Sequence, residues 1–128
     1  MPQLTDAAQR ERAAFIAEAV LEKKAERLVA LDVRNVTSYA DTFILSTGNS
    51  DRHARSIADS IREAVSARGE KPLGVEGYDE GRWVLIDLDE VIVHVFQREV
   101  RAEYDLERLW SDAPAIAVGS EANRTLAQ

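Results

Sequence analysis

Hydrophobic residues recur at two different spacings along the chain, and each spacing predicts a different kind of element. Two stripes have the three-and-four spacing of an amphipathic helix, which predicts helices over residues 5–24 and 50–69. The first stripe comprises Ala13, Ile16, Ala17, Val20 and Leu21, and the second comprises Ala54, Ile57, Ala58, Ile61 and Val65. Thr5 or Asp6 is suited to cap the first helix, and Ser50 or Asp51 the second, which Gly69 ends.

Five short apolar runs predict strands over residues 28–33, 42–47, 72–76, 82–88 and 91–96. A tight acidic turn at Asp89 and Glu90 joins the last two as a β-hairpin. The strand–helix–strand order around residues 50–69 favours parallel pairing of the strands on either side. Residues 98–110 read as a third helix, in one piece or two. We therefore expect an α/β domain with a mixed sheet of about five strands flanked by helices.

The end of the chain differs from the rest in composition. Residues 111–128 are rich in small side chains and show no hydrophobic period. The sequence predicts one domain over residues 1–110 followed by a mobile C-terminal tail over residues 111–128.

Composition narrows the class of protein. The 128 residues contain no cysteine and two distant histidines, which argues against a disulfide framework and against a metal site. The N-terminus lacks a signal-peptide pattern and no apolar run is long enough to span a membrane. We expect a cytoplasmic protein without a cofactor. The net charge of −7 disfavours direct binding to nucleic acid.

The charge is concentrated in one stretch. Residues 1–71 carry 11 acidic and 11 basic side chains, whereas residues 72–110 carry 10 acidic and 4 basic ones. The same stretch holds both tryptophans. Trp83 opens a predicted strand directly after an acidic, glycine-containing loop, which is typical of an interface anchor. A buried core tryptophan remains the alternative. Residues 72–110 therefore predict an acidic, aromatic surface that binds a basic partner.

Three patterns resemble enzyme sites, and each has a structural alternative. Asp87 and Asp89 follow an apolar strand, as the magnesium-binding pair of a nucleotidyltransferase does, but we expect Asp89 to be a turn residue and Asp87 a surface carboxylate. The segment 48–50 precedes a helix and could bind an anion, but it is too short for a Walker phosphate loop, so we expect a plain loop. His94 is a candidate general base or, as we expect, a half-buried histidine bonded to a backbone group.

Several stretches, taken together, resemble one known family, the ribosomal silencing factors or Iojap-related proteins. The resemblance runs without a gap from Phe15 to Trp110. It is carried by residues 30–33 (ALDV), 46–48 (STG), 50–53 (SDRH), 72–77 (PLGVEG), 83–87 (WVLID), 91–96 (VIVHVF), 104–107 (YDLE) and 109–110 (LW).

This resemblance implies a binding protein that is not an enzyme. Members of the family dock on ribosomal protein fourteen of the large subunit, block association with the small subunit and so repress translation when nutrients are scarce. It also implies a nucleotidyltransferase-like fold without catalytic carboxylates, and a homodimer when free. A dimeric adaptor for another basic partner, and the enzyme using Asp87 and Asp89, are the alternatives. The docking residues implied by the family's motifs are Trp83, Tyr104, Gly74, Val75, Glu76, Gly77 and Asp87.

Overall fold

A computed structural model describes residues 5–105, 108 and 111–118, except for the side chain of Tyr104. The elements in chain order are α1 (Asp6–Glu22), β1 (Glu26–Asp32), β2 (Thr42–Gly48), α2 (Asp51–Ala67), β3 (Gly74–Glu76), β4 (Trp83–Asp87), β5 (Val91–Gln97) and α3 (Arg98–Tyr104). The expected α/β class, with five strands in one mixed sheet and helices against it, is confirmed.

Both long helices begin where the sequence places a capping side chain. The Thr5 hydroxyl accepts the Ala8 N–H at 3.2 Å, and the Ser50 hydroxyl accepts the His53 N–H at 3.0 Å. Each bond satisfies a backbone donor that the first helical turn leaves free. No helix in the part of the chain that the structure describes is long and apolar enough to cross a membrane.

Within the described residues, the sheet has the strand order β1-β2-β5-β4-β3; β2 and β5 pair parallel, and the other neighbouring strands pair antiparallel. The strand that follows α2 therefore does not pair with β2, contrary to the parallel pairing expected around that helix. The physical reason is that β5 offers more apolar side chains for burial beside β2 than β3 does. β3 has three residues, two of them exposed, whereas β5 has five buried residues and suits a central position.

The two faces of the sheet are covered differently. α1 and α2 pack on one face, over a cluster that includes Ile44, Val84 and Val93. The opposite face, here called the aromatic face, is formed by strand residues that alternate with those, together with α3. Its strand residues are Val29, Leu31, Phe43, Leu45, Trp83, Leu85, Ile92, His94 and Phe96.

Residues 113–118 pack against β1, although the sequence assigned them to a mobile tail. Ala115 bridges Leu31, and the Ile116 N–H donates to the Ala30 carbonyl at 2.8 Å. Ile116 is 7% exposed and Val118 is 9% exposed, both within the main core. Apolar side chains at alternate positions, without helical spacing, suffice for a short extended segment beside a sheet edge. Residues 119–128 lie outside the described residues.

We expect Ile116→Ala to lower the free energy of unfolding by about 2 to 3 kcal/mol, because it removes a side chain packed in the core. Urea denaturation of the purified protein measures this. The matched control is Ala117→Ser, at an exposed neighbouring position, which is expected to change stability by less than about 0.5 kcal/mol. Equal stability of both variants and the unmodified chain would show that this segment is not packed.

Candidate docking surface

Trp83 lies at the rim of the sheet, as the sequence predicted, and is neither fully buried nor fully exposed. It is the first residue of β4 and pairs with Phe96 of β5, with the two ring centroids 5.1 Å apart. Its indole N–H donates to Nδ1 of His94 at 3.1 Å. The ring thus packs on the core of the aromatic face, and the residue as a whole is partly buried.

His94 lies at the centre of the aromatic face and is 7% exposed. Its ring is stacked on Phe96, with centroids 5.7 Å apart, and meets Phe43 edge-on at 5.4 Å. Because Nδ1 accepts the indole hydrogen, the neutral ring carries its proton on Nε2. Nε2 is buried, and no atom of the described residues forms a hydrogen bond with it.

The expectation that a backbone group satisfies His94 was wrong, since its partner is the indole of Trp83. The hairpin register contained the signal. Leu85 pairs directly with His94, and Trp83 is two positions away on the same face, at the diagonal distance that a long aromatic side chain can reach.

Burial lowers the pKa of His94 from the ordinary 6.5 to about 4. Removing the imidazolium from water is unfavourable, and no carboxylate is hydrogen-bonded to its ring among the described residues. His94 is therefore neutral near pH 7, as the bond from Trp83 requires.

Because the pKa of His94 is lowered in the folded protein, the free energy of unfolding decreases as the pH is lowered from 6.5 to 4. In that range the unfolded chain binds a proton that the folded protein does not, so acidification favours unfolding, by roughly 3 kcal/mol once pH 4 is passed. Asp32 does not contribute to this decrease, because its hydrogen bonds from Arg34 hold the pKa of its carboxyl at about 2, below the range concerned.

Urea denaturation at several pH values measures how steeply the free energy of unfolding changes with pH. His94→Leu is expected to flatten this dependence, and an unchanged slope in that variant would contradict the assignment.

The four loop residues that the resemblance implied for docking have different positions. Gly74 pairs with Asp87 and Glu76 pairs with Leu85, which places both on the side of the aromatic face. Val75 pairs with Ile86 instead and packs against the core beneath α1 and α2.

Gly77 has a structural role beside Trp83. It adopts φ +76°, and a Cβ added there would lie 2.1 Å from the Trp83 carbonyl oxygen. Only glycine tolerates this combination of backbone conformation and close approach. Gly77 therefore shapes the chain next to Trp83. At Gly74, in contrast, an added Cβ would meet no atom within 4 Å.

Asp87 and Asp89 form the turn of the β4–β5 hairpin. An oxygen of Asp87 accepts the Asp89 N–H at 2.9 Å, and Asp89 has φ +77°. Asp and Asn are favoured at such positions because their side chains can bond the backbone locally. Within the described ranges, no group of three or more histidine, cysteine, aspartate or glutamate side chains is arranged to hold a metal ion.

The turn before α2 uses its own polar groups. The Asn49 N–H donates to Nδ1 of His53 at 2.9 Å, and Nε2 of that ring lies 2.7 Å from the Lys23 carbonyl. With the Ser50 cap, these bonds agree with the prediction of a plain capped loop at residues 48–50.

The acidic side chains of residues 72–110 do not form one continuous surface. Asp79 and Glu80 precede β4, whereas Asp89 and Glu90 follow it, so the five residues of β4 separate them by about 15 Å. Glu90 also accepts a hydrogen bond from Arg12 at 2.8 Å, which offsets its charge. The structure therefore has two acidic ends with the aromatic face between them.

Three apolar residues of this region were not predicted from the sequence. Leu85 and Ile92 are partly buried on the aromatic face, and Tyr39 is 59% exposed with its ring 6.0 Å from that of Phe43. The alternation of the hairpin strands indicates Leu85 and Ile92, but Tyr39 lies in a turn whose position no period reveals. The side chain of Tyr104, and Trp110 as a whole, lie outside the described residues.

These features define the class of protein as an α/β domain with one helix-covered face and one partly open aromatic face. A crystal structure of a Chromobacterium violaceum protein has the same fold, with a TM-score of 0.75, 34% sequence identity, and coverage of 88% of this chain and 93% of that one. The family model of the ribosomal silencing factor during starvation (RsfS) matches residues 6–128. The chain belongs to this family.

Named relatives agree with the family model. The chain is 44% identical to the ribosomal silencing factor of Halalkalibacterium halodurans over 98 residues, which cover 77% of this chain and 84% of that protein. It is also 44% identical to the Bacillus subtilis factor over 93 residues, covering 73% and 79% respectively. A more distant mouse relative, 25% identical over 70% of this chain and 41% of its own length, is named mitochondrial assembly of ribosomal large subunit protein 1. The match to the family model extends beyond the resemblance between Phe15 and Trp110 at both ends.

Proposed function

We propose that this protein binds ribosomal protein fourteen of the large ribosomal subunit, blocks association with the small subunit and thereby represses translation under nutrient limitation. Family membership supports a ribosomal partner, and the name of the mouse relative concerns the large subunit. The single observation that carries the proposal on this molecule is the position of Trp83. It is a partly exposed aromatic side chain at the sheet rim, anchored by its hydrogen bond to His94.

The aromatic face has the composition of an interface core. Trp83 is partly exposed beside Leu85 and Ile92, and these side chains offer apolar area that a partner can remove from water. Glu76 lies at the adjoining sheet edge, and open space beside Gly74 leaves room for close approach. In this proposal Trp83 and Tyr104 contribute most of the binding free energy.

The two acidic ends of β4 suit a basic partner. Asp79 and Glu80 at one end and Asp89 at the other are exposed and outnumber the exposed Arg82. A net negative charge around an apolar centre steers and orients an oppositely charged surface. The effect acts mainly on the association rate, while the apolar centre sets the lifetime of the complex.

The proposed mechanism is steric and needs no catalytic step. A bound domain of 128 residues occupies the surface that the small subunit would contact. Asp87 supports a turn, which gives its carboxylate a role outside catalysis. A homodimer in the free state, and a cytoplasmic location beside ribosomes, belong to the same proposal.

We expect Trp83→Ala to weaken binding to purified large subunits by about 2 kcal/mol or more, since it removes a central aromatic anchor. Tyr104→Ala is expected to act in the same direction. Cosedimentation through a sucrose gradient measures binding, and the same gradient shows whether joined ribosomes disappear. The matched control is Leu21→Ala, an exposed apolar residue on α1, at the helix-covered side.

Thermal unfolding of each variant separates lost binding from lost folding, because Trp83 also packs on Phe96. Folded Trp83→Ala and Tyr104→Ala proteins that still bind large subunits like the unmodified chain would refute the assigned surface. If the unmodified protein binds large subunits but the subunits still join normally, the steric mechanism is refuted.

Binding is also expected to weaken several-fold when salt rises from about 0.05 M to about 0.3 M, because screening acts on exposed charges. The charge-neutral variant Asp79→Asn, Glu80→Gln is expected to show a smaller salt dependence in the same cosedimentation assay. Binding that does not respond to salt in either protein would contradict the electrostatic part of the proposal.

A further inference from the structure

The hydrogen bond between Trp83 and His94 determines what Trp83 can offer to a partner. An exposed tryptophan anchor presents two chemistries, an apolar ring and a single N–H donor. Here the N–H already donates to Nδ1 of His94 at 3.1 Å. Trp83 is partly exposed, and because its N–H is engaged, its ring can offer a partner only carbon atoms.

The acceptor is itself held in place from several sides. His94 lies on the central strand β5, between Leu45 of β2 and Leu85 of β4. Its ring is stacked on Phe96 with an interplanar angle of 4° and meets Phe43 edge-on. A ring fixed by this packing provides a fixed acceptor, so the bond constrains the orientation of the indole.

We propose that His94 is a positioning residue for docking, which holds the indole of Trp83 by its N–H and leaves an apolar ring surface for the partner. The partner group that receives Trp83 is then apolar or cationic, and is not a hydrogen-bond acceptor. This inference rests on the proposed function, because it assumes that Trp83 is part of the docking surface.

Two physical effects favour this arrangement. Holding the indole in one orientation before binding reduces the side-chain entropy that is lost when the complex forms. A buried indole N–H without an acceptor would also be unfavourable in the complex, and His94 removes that cost in advance. The π-system of an indole attracts a lysine or arginine side chain, in keeping with a basic partner.

The simpler alternative is that His94 only fills space in the core. His94→Leu and His94→Asn separate the two roles. Leucine fills the site but accepts no hydrogen bond, whereas the side-chain oxygen of asparagine can replace Nδ1 as acceptor although it fills the site less well. Phe43→Leu is the packing control, because it alters a ring that contacts His94 without touching the Trp83 bond.

The first measurement is the NMR signal of the indole N–H in the free protein, which Trp83→Phe assigns against that of Trp110. We expect His94→Leu to shift this signal and to speed its exchange with water, whereas His94→Asn and Phe43→Leu preserve slow exchange. The second measurement is binding to large subunits. We expect about tenfold weaker binding for His94→Leu, and within about threefold of normal for the other two.

The results distinguish the possible failures. If Trp83→Ala binds normally, the proposed docking surface fails, whatever His94 does. If Trp83→Ala weakens binding but His94→Leu does not, the positioning role fails while the docking surface stands. If Phe43→Leu weakens binding as much as His94→Leu, or if His94→Asn gives no rescue despite restored slow exchange, core packing explains the effect and the positioning role is overturned.

Discussion

The parallel pairing of β2 with β5 is the contact on which the rest of the structure depends. All seven residues of β2 are buried, and five of the seven in β5. Strands covered on both faces favour apolar side chains on both, and that requirement explains the apolar run at residues 91–96 and the apolar centre of residues 42–47, Phe43 to Leu45. It also places His94, the polar exception in its run, in the middle of the aromatic face, where only a side chain can provide its partner.

Local features were predictable because their causes are local. Capping by Thr5 and Ser50 and the β4–β5 hairpin all follow from residues within a few positions of each other. The strand order was not predictable in this way, since the parallel partner of β2 was decided by competition between β3 and β5 for the central position. The packing of Ile116 depends on a surface formed by distant residues, and the alternation of Ile116 with Val118 is too short to indicate it alone.

The candidate site shows the same division. The position of Trp83 at the start of a strand was visible in the sequence, and its contact with His94 required the register of the hairpin. The family resemblance assigned residues 74–77 to docking as one loop, but these residues have different roles in the structure. Val75 belongs to the helix-covered core and Gly77 makes room for the Trp83 carbonyl, so substitutions at either test folding before they test docking.

The segment at residues 113–118 has a consequence for how separate copies of the chain behave at high concentration. By pairing with β1 it occupies backbone groups that a sheet margin would otherwise offer to another molecule. The other margin, β3, is only three residues long and ends in a charged side chain, both of which discourage strand addition. A chain shortened before Ala113 would leave β1 uncovered, and its main hazard would be self-polymerisation.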